Sequence, residues 1–523
     1  MIADLERAAP DRTDYDVCVI GAGAAGIALA LELRRGRRRV LLLEAGGARY
    51  ETKSQALYAG ETEGLPFAGL LDGRFRVLGG TTTQWGGQIL EIDDHVFGPR
   101  PWASFEGWPI SKADLAPYYR RAVAIEGLEA ALDDADAVWL GLSLARPDFG
   151  EELVSRFSRW CPTRDLAKLH AAALRDDPDL QVWLHANVVG LGFAEDGQTA
   201  RKVYCRTLGG RAAEFSAKAF VLCTGGIETS RFLLQPSTNA FGTPWQGNPL
   251  IGRHFQDHIS AFVATLEDCA LQPPGAYFDY QSLGGLRYHP KLSLAPASQA
   301  ARQTLDICGV VAVTADGQDD LGIAFETYRL IIQRRYNKLS VGRLVHFARH
   351  LPTLLWHRLP LSTSASAAGP RRTTLRLSVH CEQAPTSDSF MALSDEKDAV
   401  GMRKARLTWR GSDAETHTIR AYIDAVRTAF AANGLGRIVP DPGVMEDDAA
   451  LVSRFGESFH HIGGARMADT AADGVVDSDL RVFGTLNTYV CSSAVFPSAG
   501  FANPTHTVIA LAARLAVHLS QKH

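Results

Sequence analysis

The stretch 16–20 (Asp-Val-Cys-Val-Ile) is short, continuous and β-branched, the pattern of a strand buried on both faces. Glycines follow, and the next apolar positions predict a helix over 24–35. A basic turn at 34–39 leads into a second buried strand over 40–43, completing a βαβ unit of Rossmann type. Periodicity fades over 50–110, which is rich in Gly, Thr and Trp and reads as extended loops around a ligand. Helical pattern resumes over 111–132, with Ser111 as N-cap and Asp114 three residues on. Apolar runs return at 182–191 and 219–234, the second turning into a helix. Strand pieces at 375–383 and 405–411 precede a long helix ended by Gly434, and a last helix is expected over 505–520.

The pattern therefore predicts an α/β chain whose nucleotide-binding domain is discontinuous, with an α+β second domain on an antiparallel sheet. The chain has 523 residues, 46% hydrophobic and 21% charged, as expected of a multidomain globular enzyme. A net charge of −4 offers no electrostatic footprint for nucleic acid. The first residues lack an apolar core and no run of eighteen apolar residues occurs, so neither a secretory signal nor a transmembrane segment is expected. Eight scattered cysteines without paired spacing fit reduced, buried thiols and a cytoplasmic location. Residues 320–365 mix Leu and Ile with Arg and His and suit ordinary packed helices with a solvated face. The Ser/Ala run at 362–369 reads as a flexible loop.

Gly21, Gly23 and Gly26 form GxGxxG. The first permits the strand-to-helix turn, the second lets backbone approach a diphosphate, and the third packs helix on strand. The helix N-terminus supplies free N–H groups to that diphosphate. Glu44, ending the second strand, suits a ribose 2′-hydroxyl and disfavours a 2′-phosphate. FAD and NAD share this grip.

The run Arg76–Gln88 (RVLGGTTTQWGGQ) resembles the loop that the glucose–methanol–choline (GMC) oxidoreductases place along FAD. The resemblance continues through 221–230, 248–258, 382–385 and 393–402 and closes on FHHIGG and FANPT near the end. Within that family the chain is most similar to the pyranose oxidase and fructose dehydrogenase branch. The resemblance implies an FAD-binding domain built from 14–110, 181–254 and 446–523. Residues 111–180 become a helical and loop connection near flavin and substrate, and 255–445 the substrate-binding domain. It implies that FAD is held by Gly21, Gly23, Ala24, Ala25, Gly26, Glu44 and Ala45, then by Arg76, Gly79, Gly80, Thr81, Gln84, Trp85, Gly86 and Gly87. The remaining contacts fall on Val188, Val189, Cys223, Thr224, Gly225, Ser492, Ser493, Asn503, Pro504 and Thr505. Gln84 stands where covalently flavinylated relatives have His, which implies non-covalent FAD.

The same likeness implies oxidation of a primary or secondary alcohol, such as a sugar, glycoside or polyol, to its carbonyl. His460 would act as base and Asn503 would orient the hydroxyl, with O2 or another acceptor taking the electrons. A neutral imidazole suits a base working near pH 7. His461 is the rival: in an extended segment only one of two neighbours faces the flavin. His506 could face the substrate or sit at a helix N-terminus. His380, Glu382 and Gln383 read as strand positions. His254 and His258 stand four apart but lack a third ligand, so no metal is expected. Alternatives are a flavin-bound lyase without net redox and a nicotinamide-dependent dehydrogenase.

Overall fold

A computed structural model describes residues 1–522 except 104, 238, 240–241, 316–326, 328–338 and 357–372. The loop expected at 362–369 lies outside the described residues, as does most of 320–365. Helix Val341–Trp356 falls within that stretch.

The first βαβ unit forms from strand Asp14–Ile20, helix Ala24–Arg35 and strand Val40–Leu43. The two strands run parallel, Ile20 opposite Leu43, and both are buried apart from Asp14. They sit at the centre of an eight-stranded sheet. Strand Ala212–Leu222 adds in parallel on the other side of Asp14–Ile20, and Thr488–Val490 adds in parallel beyond it. Segments far apart in sequence thus share one sheet, and the parallel strands' carboxyl ends meet over one crevice, the place for ligands in such sheets. The final helix, Pro504–Lys522, packs against Ala24–Arg35.

A second, nine-stranded sheet is antiparallel throughout. Its central strands are Leu286–Leu294, Ile307–Ala315, Thr373–Cys381 and Ile259–Glu267. Helix Asp413–Ala432 covers one face, and Gly434 at φ 62° closes it as expected. The fold is therefore α/β, a Rossmann-like domain joined to a domain on an antiparallel sheet.

Two local differences have plain causes. The helix expected over 111–132 runs Lys112–Ile125, capped by the Ser111–Asp114 box and stopped by Gly127 at φ 70°. Within 111–180, expected as helices and loops, Leu153–Trp160 is a strand paired to Leu286–Leu294. Its alternating LVSRFSRW pattern carries that signal.

Candidate active site

One cavity of about 250 Å³ opens over the strand ends. Gly21 takes φ 105°, and a Cβ there would lie 2.6 Å from the Cys223 carbonyl oxygen. Helix Ala24–Arg35 starts without a side-chain cap or an acidic residue in its first turn, so its N–H groups are free for an anion. A Cβ on Gly80 would meet the Gly23 Cα at 2.8 Å, so both backbones press against the same cradle. Glu44 Oε2 accepts from Ala22 N at 3.0 Å and Oε1 from Gly46 N at 2.9 Å. Burial pushes its carboxyl up, against those bonds. This long cradle fits an extended dinucleotide.

Of the residues expected to bind cofactor, Gly21, Gly23, Ala24, Ala25, Glu44, Ala45, Arg76, Gly80, Thr81 and Trp85 line the cavity. So do Val188, Cys223, Thr224, Gly225, Ser492, Ser493, Pro504 and Thr505. Others stand off the wall. Gly26 packs on Gly21, whose oxygen lies 1.8 Å from where its Cβ would be. Gly79, at φ 95°, begins the 3₁₀ turn that Gln84 ends. Gly87 accepts from Cys161 N, Gly86 points toward Trp160, and Val189 alternates away from its neighbour Val188. Asn503 reaches the site through His460 instead.

The wall also holds Tyr58 and Arg74, which no motif marked. Arg74 and Arg76 both contact Glu228, at 3.2 and 2.8 Å, and both lie over the Tyr58 ring. Burial works to raise the Glu228 carboxyl, but Arg231, Arg76 and Arg74 outweigh it and hold it down to about 2. Glu228 stands 154 residues from Arg74 and 152 from Arg76, so sequence spacing hides their meeting.

His460 is the centre of the chemistry. Its Nε2 lies 3.0 Å from the Asn503 amide nitrogen and its Nδ1 2.8 Å from His258 Nδ1. With Asn503 donating, the Nε2 lone pair accepts that bond and Nδ1 carries the proton, donated to His258. Burial, then the neighbouring His258, His380, His461 and Lys291, push His460 well below the usual histidine range. The loop before Asn503 is pinned by buried carboxylates. Glu382, paired with Arg100, accepts from Ala499 N and Gly500 N, and Asp306 accepts from Phe501 N. Glu382 and Gln383 are thus structural, Gln383 binding Asp257 N and Trp409 Nε1.

His461 also borders the cavity, its ring between Phe67 and Phe255, while His460 turns to Asn503 and His258. His506 turns away: its Nδ1 meets Glu126 at 2.7 Å, both fully buried, under the Tyr119 ring. His254 and His258 separate too, His254 contacting the Pro385 carbonyl. Among the described residues, Asp257, Glu457 and His461 bring possible ligand atoms within 4.8 Å of one another. Backbone bonding explains both carboxylates, since Glu457 accepts from Ala68 N and Gly69 N.

Asp257 Oδ1 accepts from the N–H groups of His258, Ser458 and His460, clamping both histidine segments together. Burial pushes its carboxyl up to about 8. The sign follows from linkage: the contribution to stability is full below the unfolded value of 3.8 and lost as pH rises through about 8. Asp257→Asn keeps the acceptor and cannot ionise. Its melting temperature should fall less than the wild type's between pH 5 and 8. Asp257→Ala should lose about 1–3 kcal/mol per orphaned donor. An asparagine variant with the wild-type pH slope would refute this.

A dinucleotide crevice facing a buried, neutral imidazole defines a flavin-dependent oxidoreductase. Residues 385–512 match the family model described as GMC oxidoreductase. The chain is 22% identical over 571 residues to 2-methyl-1,2-propanediol dehydrogenase of Mycolicibacterium austroafricanum, covering 97% of this chain and 95% of that protein. It is 34% identical over 150 residues to C-glycoside 3-oxidase of Microbacterium trichothecenolyticum, 28% of this chain and 27% of that one. A solved formate oxidase from Aspergillus oryzae superposes with a TM-score of 0.59 at 16% identity, over 98% of this chain and 99% of that one. Over residues 385–512 the chain is thus similar to the GMC oxidoreductases. Its cofactor is FAD, and it is an oxidoreductase acting on CH–OH groups.

Proposed function

We propose that the protein oxidises a hydroxyl of a sugar, glycoside or polyol to the carbonyl, with His460 as base and Asn503 as the group that holds the hydroxyl. The observation that carries this is the His258–His460–Asn503 chain, with contacts of 2.8 and 3.0 Å beside the FAD cradle. FAD, when bound, accepts a hydride from the carbinol carbon. The residues that line the cavity, from Gly21 and Glu44 to Ser492, would hold it. Gln84 at the covalent position and off the cavity wall supports a non-covalent complex.

The substrate hydroxyl enters between Asn503 and His460. The amide donates to its oxygen and Nε2 takes its proton. Nδ1–H, held by His258, fixes the tautomer and shares the positive charge that results. The N-terminus of helix Pro504–Lys522 borders the same cavity, and its partial positive charge favours an anion formed there. Electrons leave to O2 or another acceptor. Eight unpaired cysteines, and the absence among the described residues of a helix able to cross a membrane, support a cytoplasmic enzyme.

A sugar-acting reading draws support from the C-glycoside oxidase likeness, and a polyol-acting one from the propanediol dehydrogenase likeness. Anaerobic mixing of the yellow protein with sugars, glycosides, polyols and simple alcohols tests it. Loss of flavin colour is expected with at least one, and acid precipitation should leave flavin in the supernatant. A flavin bleached by none of them would favour a lyase and sink the oxidation reading.

A further inference from the structure

One face of the nine-stranded sheet turns toward His460, and the register says which side chains it carries. His380 lies opposite Ser260 on one neighbouring strand and Cys308 on the other. Cys308 lies opposite Ser293. Lys291 and His289, two and four residues before Ser293, share its face and stand opposite Arg156 and Ser158. Five adjacent strands thus place polar side chains on this face.

The charges on it are mostly compensated. Arg156 pairs with Asp93 at 2.6 Å and donates from Nε to Ser293 Oγ at 2.8 Å. Farther along, Arg376 pairs with Asp441 at 2.6 Å. Burial lowers His258 to about 4, and both His289 and His380 to about 3, so these rings are neutral near pH 7.

Lys291 is the exception. It is only 6% exposed, and among the described residues its ammonium has neither an acidic partner nor a hydrogen-bond acceptor. By register it lies on the same sheet face as His289, Ser293 and His380, the face whose strand Ile259–Glu267 leads directly from His258. An enclosed ammonium is costly unless an anion meets it. Two strand spacings, about 10 Å, separate the backbones carrying Lys291 and His380.

We propose that Lys291 receives a carboxylate or phosphate on the alcohol substrate, several bonds from the hydroxyl that His460 and Asn503 take. The preferred substrates are therefore hydroxy acids, sugar acids or sugar and polyol phosphates. This rests on the alcohol-oxidation reading above and narrows it. As a compact point charge, lysine suits either anion.

The test compares anaerobic flavin reduction by matched probes: glycerol against glycerate and glycerol 1-phosphate, and glucose against glucuronate and glucose 6-phosphate. The wild type should favour an anionic member by about 10- to 100-fold in kcat/KM, the range of a charged hydrogen bond. Lys291→Gln should erase that preference while keeping the rate on the neutral member. The carboxylate and phosphate arms tell the two anions apart. Should the glutamine variant not fold, propionate inhibition of glycerol oxidation by the wild type decides, and competitive inhibition is expected. A wild type without anion preference overturns the proposal, as does a variant that keeps it or a failure of propionate to compete. Equal loss on neutral and anionic probes also overturns it, by assigning the charge to the flavin. If neutral alcohols bleach the flavin equally well, this proposal alone fails. If no alcohol bleaches it, the oxidation reading fails with it.

Discussion

Replacing His460 with alanine should leave a yellow, folded protein whose flavin is bleached by substrate about 10²- to 10⁴-fold more slowly, the usual contribution of a positioned base. The folded, flavin-loaded state should survive because His460 holds no buried ion pair, and its segment is fixed through the backbone, His460 N to Asp257 at 3.0 Å. The pH dependence follows from the same burial. His460 is pushed well below the usual histidine range, so its neutral, proton-accepting form persists on the acid side of pH 6.5. Wild-type kcat/KM should therefore stay level through pH 6 and fall only at lower pH, where Nε2 becomes protonated. The residual activity of the alanine variant should lack that acid limb. Bleaching of the variant at the wild-type rate, or an unchanged acid limb, would show that another group takes the proton. His461 would be the next candidate, since it borders the same cavity.

How far the chain could be read without coordinates depended on the range of the interaction. Helix Ala24–Arg35 and strand Val40–Leu43 have the bounds that their hydrophobic pattern predicts, because burial of one βαβ unit sets them locally. The final helix begins at Pro504, one residue before the expected start, as proline at the first helical position allows. The site was legible only where glycine spacing or family likeness marked it. Nothing local signals that His258 meets His460 across 202 positions, or that Arg74 and Arg76 converge on Glu228. The direction of His506 was equally hidden, since Glu126, 380 positions away, decides it. Long-range pairing of buried polar groups is what periodicity cannot carry, and most of this active centre consists of it.

The second and third glycines of the nucleotide motif should fail in different ways, and the difference separates folding from cofactor binding. A Cβ on Gly26 would lie 1.8 Å from the Gly21 carbonyl oxygen and 3.4 Å from Val19. The Gly21 backbone cannot yield without parting helix Ala24–Arg35 from strand Asp14–Ile20. Gly26→Ala should therefore lower the melting temperature of the apoprotein itself and yield little yellow protein. A Cβ on Gly23 meets nothing nearer than the Gly80 Cα at 4.0 Å, and its φ of −84° suits any residue. Gly23→Ala should fold with an apoprotein stability close to wild type, yet bind FAD at least about tenfold more weakly, because the new methyl occupies the diphosphate cradle. Thermal melts of the flavin-free proteins, followed by FAD titration, make the comparison. Equal destabilisation of both apoproteins would show that Gly23 is a packing glycine, and normal FAD affinity in Gly23→Ala would move the diphosphate away from this turn.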